Sequence, residues 1–184
     1  MSVISKLIQV AVALLCLGAA AVVLRDNGLP TSTSSSRESG QSRAPTIGAA
    51  APSFTLRTHR LENFILRPAG GATVLNFWAT WCQPCRAEMK ELQSLFESKP
   101  ESPRIIAVNL GETFTTVRKW VGDLGLTYTV LLDPQLTVAS LYGVRGLPTT
   151  FLLDSQMMVK GIYFGPVSAA ELLRSIDSLP IDRG

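Results

Sequence analysis

Asn76-Phe77-Trp78-Ala79-Thr80-Trp81-Cys82-Gln83-Pro84-Cys85-Arg86-Ala87-Glu88 runs from an apolar stretch into a helical one and sets two thiols at the turn between them. A Cys-x-x-Cys that begins a helix brings its sulfurs within disulfide distance, and the unpaired N–H groups of the helix N-terminus favour a thiolate there. Cys82 is therefore the candidate nucleophile. Val74–Trp78 reads as a buried strand, apolar throughout except for Asn76. Pro84 fits the first turn of the following helix, where a missing N–H costs nothing.

Two other uses of such a pair compete with redox chemistry. Structural zinc needs four ligands, and the sequence offers neither a second cysteine pair nor a histidine pair. Its single histidine, His59, lies in a polar Arg-Thr-His-Arg stretch and reads as a solvated loop residue. A structural disulfide is the other alternative. The tight two-residue loop, with Pro84 inside it and tryptophans at 78 and 81 before it, suits an exchangeable bond better.

On the helix, Cys85, Glu88, Leu92 and Leu95 share one face, so Glu88 points where the core points. That phase makes it a candidate to handle the Cys85 proton. An ordinary helix glutamate is the plainer reading.

Outward from this centre, Leu7–Leu24 is free of charge, bounded by Lys6 and by Arg25 and Asp26. As a helix it spans about 27 Å, close to the roughly 30 Å hydrocarbon core of a bilayer. Residues 1–25 are read as a membrane anchor, with a signal peptide cleaved after the small residues at 18–21 as the alternative. Cys16 lies within this run after two leucines and is read as an unmodified thiol. Residues 26–45, rich in Ser, Thr, Gly, Arg and Pro, form a flexible linker with a reach of about 25 Å. A redox-active dithiol implies that residues 46–184 lie outside the cytosol. The net charge of +3 carries no Lys/Arg block, so nothing points to nucleic acid.

Residues 46–184 suffice for one domain. Phe54–Leu56 and Phe64–Leu66 read as a small hairpin, and Arg104–Leu110 and Tyr128–Leu132 as strands. Phe114–Leu124, carrying Trp120 as a packing residue, and Leu136–Tyr142 read as helices. Strand and helix alternate, which favours an α/β sheet with helices on both faces. In Gly146-Leu147-Pro148-Thr149-Thr150-Phe151 the proline cannot donate to a ladder and belongs at a strand's first residue. Thr149–Leu153 and Val159–Phe164 then form a hairpin, with Met157 and Met158 at its turn, and Ser168 with Glu171 caps a closing helix through Leu179.

Taken with Ala51-Pro52-Ser53-Phe54, the run from Asn76 to Met89, Ala107-Val108-Asn109-Leu110-Gly111-Glu112 and the Leu-Pro-Thr-Thr-Phe run, the chain from Thr46 to about Leu179 resembles the TlpA/ResA/CcmG group of thioredoxin-like thiol–disulfide oxidoreductases. The resemblance implies a thioredoxin-like fold with a central mixed sheet flanked by helices, an added N-terminal hairpin and a central insertion. It also implies a tether to the outer face of the cytoplasmic membrane. By it, Cys82 attacks, Cys85 resolves, Glu88 assists their titration, and Trp81, Leu147 and a cis Pro148 meet an extended substrate. Three positions depart from the pattern: Asn76 replaces thioredoxin's buried aspartate, Met157 replaces a turn glycine, and Lys90 replaces a proline that would bend the thiol helix.

The expected function is an extracytoplasmic reductase of protein disulfides, monomeric and without cofactor or metal. Its partners would be a membrane thiol-electron donor and a protein disulfide substrate, with the Cys-x-x-Cys of an apocytochrome c favoured. A broader reductase protecting exported or copper-site proteins is the second reading. The third is a metal-handling or docking module that uses the two cysteines as ligands.

Overall fold

The apolar run before the cysteines is buried along its whole length, and the other elements are arranged around it. The computed structural model describes residues 44–99 and 103–179. The Leu7–Leu24 run, Cys16 and the linker before Ala44 lie outside the described residues.

In chain order the elements are β1 (Thr55–Thr58), β2 (Asn63–Ile65), β3 (Thr73–Trp78), α1 (Gln83–Ser98), β4 (Arg104–Leu110) and α2 (Phe114–Leu124). There follow β5 (Thr129–Asp133), α3 (Thr137–Leu141), β6 (Thr149–Leu153), β7 (Val159–Phe164) and α4 (Ala169–Asp177). One mixed sheet has the order β2-β1-β5-β4-β3-β6-β7. β3, β4 and β5 are mutually parallel, and the other pairings are antiparallel.

Alternation along β3 divides the core. Val74 and Trp78 face α1, α2 and α4, where Met89, Leu92, Leu95, Val117, Val121 and Leu172 pack. Leu75 and Phe77 face the other side, toward Val138 of α3 and the aromatic group Phe54, Tyr142 and Phe151. Helices thus cover both faces. The expected hairpin is present and docks through β1 on β5, while α2, β5 and α3 together intervene between β4 and β6.

Several boundaries differ from the sequence expectation for physical reasons. The first hairpin is centred on the Leu56–Phe64 pair, which starts its strands at Thr55 and Asn63. β5 extends to Asp133, whose buried carboxylate accepts the N–H groups of Thr137, Val138 and Ala139 at 2.8–2.9 Å and so starts α3 one residue late. Leu136, just before it, takes a left-handed φ of 58°. Ser168 caps α4 by accepting the Glu171 N–H, but the helix ends at Asp177, followed by a tighter turn to Leu179.

Other expectations meet corrections of detail. His59 is half-buried rather than solvated: its N–H donates to the Val130 carbonyl, continuing the β1–β5 ladder, and desolvation lowers its pKa. Met157, where the resemblance implies a turn glycine, takes a left-handed φ of 62° and buries its side chain. α1 runs as one 16-residue helix through Lys90. Trp120 packs as expected, stacking on Trp78 with ring centroids 4.7 Å apart.

Candidate active site

The sheet brings the end of β3, the start of β6 and the first turn of α1 to one edge. Phe77 pairs with Thr149, so Pro148 stands beside the strand end that leads to the cysteines. Cys82 is the N-cap of α1, with extended backbone, and its sulfur accepts the Cys85 N–H at 3.3 Å. The two sulfurs are joined as a disulfide across a Cα–Cα distance of 5.4 Å. Cys85 is fully buried and Cys82 is 5 % exposed, so Cys82 lies nearer to solvent.

Around the disulfide, Trp81 is 73 % exposed, Pro148 is buried and follows a cis peptide bond, and Leu147 packs against both core clusters. Phe164, 81 % exposed, pairs with Thr149 next to Pro148, and the Gly165 N–H donates to the Pro148 carbonyl at 2.9 Å. Nothing in the alternation of β7 marked Phe164 as the exposed neighbour of the Pro148–Thr149 segment. Its place follows only from the strand register.

Glu88 sits one turn beyond Cys85 and is 1 % exposed. Its Oε1 accepts the Thr150 hydroxyl at 2.9 Å and its Oε2 accepts Asn76 Nδ2 at 3.1 Å. Burial disfavours the charge and pushes the carboxyl up to about 7, against the pull of Thr150, the Val167 N–H and Asn76, which favour the ionised form. Asn76 stands where thioredoxin has a buried aspartate, and here it donates to Glu88. Its amide holds the carboxylate that α1 delivers.

A second carboxylate anchors the loop before the thiols. Glu112 accepts the Thr80 N–H at 2.7 Å, the Thr80 hydroxyl and Asn109 Nδ2 at 2.6 Å. Sequence reading caught the Asn-Leu-Gly-Glu motif but gave Glu112 no task, because the crossing of loop to strand end is a tertiary contact. Glu112 also lines a cavity of about 390 Å³ beside the first hairpin, with Leu56, Leu61, Phe114, Leu132 and Pro134. That cavity includes neither cysteine. Among the described residues no group of three or more His, Cys, Asp or Glu side chains is arranged to hold a metal ion.

Residues 47–162 match the family model described as the AhpC/TSA family. The thiol-disulfide oxidoreductase ResA of Geobacillus thermodenitrificans is 32 % identical over 142 residues, covering 74 % of this chain and 79 % of that one. Among solved structures, the thiol:disulfide interchange protein DsbE of Chlorobium tepidum superposes with a TM-score of 0.64 at 30 % identity, covering 73 % of this chain and 98 % of that one. StoA of Bacillus subtilis gives 0.61 at 27 % identity, over 71 % of this chain and 98 % of that one. A disulfide at the start of a helix on a mixed sheet agrees with the thiol–disulfide chemistry that the names of the ResA and DsbE proteins state. The chain belongs to the AhpC/TSA family and is a thioredoxin-like thiol–disulfide oxidoreductase of the ResA, StoA and DsbE type.

Proposed function

We propose that this oxidoreductase works as a reductase of protein disulfides outside the cytosol, tethered by Leu7–Leu24 and the 26–45 linker. The Cys-x-x-Cys of an apocytochrome c before haem attachment is the favoured substrate. The kinship with ResA and DsbE supports this reading, and the apolar N-terminal run agrees with a tether. The observation that carries it is the asymmetry of the pair: a helix-capping sulfur near solvent beside a buried one backed by a buried carboxyl.

In this mechanism the Cys82 thiolate, favoured at the helix N-terminus, attacks one substrate sulfur and breaks the substrate disulfide. The departing sulfur takes a proton, leaving substrate and Cys82 joined. Cys85 then gives its proton to the Glu88 carboxylate and attacks Cys82 Sγ, forming the Cys82–Cys85 disulfide and expelling the second substrate thiolate, which is protonated in turn. Two electrons pass from the enzyme to the substrate. A membrane dithiol donor returns them and becomes oxidised itself. Trp81, Leu147 and Pro148 form the surface on which an extended substrate segment rests.

A Cys85→Ser variant tests the assignment. It should trap substrate proteins as mixed disulfides on Cys82, whereas Cys82→Ser should trap none, and the trapped proteins should include c-type apocytochromes. The reverse trapping pattern would mean the nucleophile is Cys85. A trapped set without apocytochromes would leave the reductase and remove the proposed substrate.

A further inference from the structure

Glu88 is held by donors alone. The Thr150 hydroxyl and one Asn76 amide hydrogen reach its two oxygens, and the other Asn76 hydrogen goes to Thr150 Oγ1 at 2.9 Å. Such a set is complete only while Glu88 is ionised, because a carboxylate accepts whereas a carboxylic acid must also donate. In the mechanism proposed above, Glu88 receives the Cys85 proton and becomes that acid in a site with 1 % exposure. Its new O–H needs a buried acceptor.

One stands at the same place. Among the described residues, Asn76 Oδ1 is buried and has no hydrogen-bond partner. The last torsion of an asparagine is a broad, two-fold rotor, so a half-turn of the carboxamide exchanges Oδ1 with Nδ2 while β3 stays still. Oδ1 then occupies the position 3.1 Å from the Glu88 carboxyl and 2.9 Å from Thr150 Oγ1, and can accept from either group. The position is fixed by the sheet: Asn76 and Thr150 are directly opposed in the β3–β6 register, and both side chains meet Glu88.

We propose that Asn76 and Thr150 form a proton-responsive clamp on Glu88, in which the Asn76 amide donates to the ionised carboxylate and turns over to accept from the acid. This rests on the reading of Glu88 as the Cys85 proton acceptor. An aspartate at 76 would add a like charge, and an apolar residue would serve neither form. Among the described residues, the groups that face Glu88 are Cys85 on its own helix, which titrates only once its disulfide with Cys82 is reduced, and Tyr128, the residue just before β5. Tyr128 donates to the Met89 carbonyl at 3.4 Å and is itself held neutral by burial. Asn76 of β3, Thr150 of β6 and the Val167 N–H before α4 supply uncharged contacts.

The test is NMR of the oxidised full-length chain in detergent micelles from pH 5 to 9, following the Glu88 side-chain carboxyl carbon and the Asn76 side-chain amide nitrogen. Both should titrate with one midpoint in the wild type, and the Asn76 signal should stop titrating in Glu88→Gln. Thr150→Val, which removes a donor from the ionised form only, should raise the Glu88 midpoint by about one pH unit, and Thr150→Ser should restore it. An Asn76 signal constant across the Glu88 titration, or a Thr150→Val midpoint equal to the wild type, overturns the clamp. The parent reading has its own readout in the rate of mixed-disulfide release. If Glu88→Gln leaves the pH dependence of that rate unchanged, Glu88 is not the acceptor, whatever the NMR shows.

Discussion

Glu88 is the residue at which burial, register and chemistry meet. A carboxyl raised to about 7 is partly protonated at neutral pH, so its ability to take a proton from Cys85 increases as pH rises through that value. The rate of mixed-disulfide release should therefore rise from pH 6 to 8, more steeply in the wild type than in Glu88→Gln. Formation of the mixed disulfide should change less, because it depends on Cys82. Stopped-flow measurement of the two phases checks this, and a Glu88→Gln profile parallel to the wild type in both phases would refute it. The placement of much of the candidate site could be read at this scale: that Cys82, Cys85, Glu88 and Pro148 come together was legible from spacing, helix phase and resemblance. Thr150, Glu112 and the holding role of Asn76 were not. Each acts across strands or loops separated by tens of residues, and the polar face of a strand does not announce which distant side chain it meets.

The elements themselves followed their periodicity where burial is one-sided or complete, and drifted where a turn decides the boundary. β4, α2, β6 and β7 have the limits their apolar patterns suggest. The ends of β1, β2 and α3 instead depend on left-handed residues and on the Asp133 cap, which periodicity cannot register. The β1–β2 turn illustrates the physical reason and offers a test. Leu61 holds φ at 67° although it is 48 % exposed, a conformation in which a non-glycine residue is strained by roughly 1–2 kcal/mol. The turn is kept by Arg57 Nη2 donating to the Leu61 carbonyl at 2.9 Å and by the Thr58 hydroxyl accepting the Arg60 and Glu62 N–H groups. Asparagine tolerates this region better, so Leu61→Asn should stabilise the domain by about 0.5 kcal/mol in denaturant unfolding. A loss of stability would show that the Leu61 side chain contributes packing that outweighs its strain. At the other end of the domain, Ser168→Ala removes the acceptor for the Glu171 N–H and should cost about 1 kcal/mol.

For the whole molecule, the buried carboxyl proposed to take the Cys85 proton also makes stability depend on pH. The unfolded chain loses the Glu88 proton near the ordinary value of 4.5, the folded chain near 7, so between these values the folded state binds more protons. Stability then falls as pH rises through this window, and the penalty is fully present above it. The rise from 4.5 to about 7 corresponds to on the order of 3 kcal/mol, set against a typical domain stability of about 5–15 kcal/mol. His59 acts in the opposite sense within an overlapping range, because its lowered pKa makes the folded state gain as the imidazole becomes neutral. The wild type alone would mix the two effects. Comparison with Glu88→Gln separates them, since His59 contributes equally to both proteins. Calorimetry of the oxidised proteins should show nearly equal stability at pH 4, with Glu88→Gln becoming the more stable as pH rises and the gap levelling off near pH 8. A gap that is constant with pH would mean that Glu88 ionises in the folded protein as it does in the unfolded chain, and a carboxyl of that kind would already be deprotonated too early to be tuned for the thiol chemistry of Cys85.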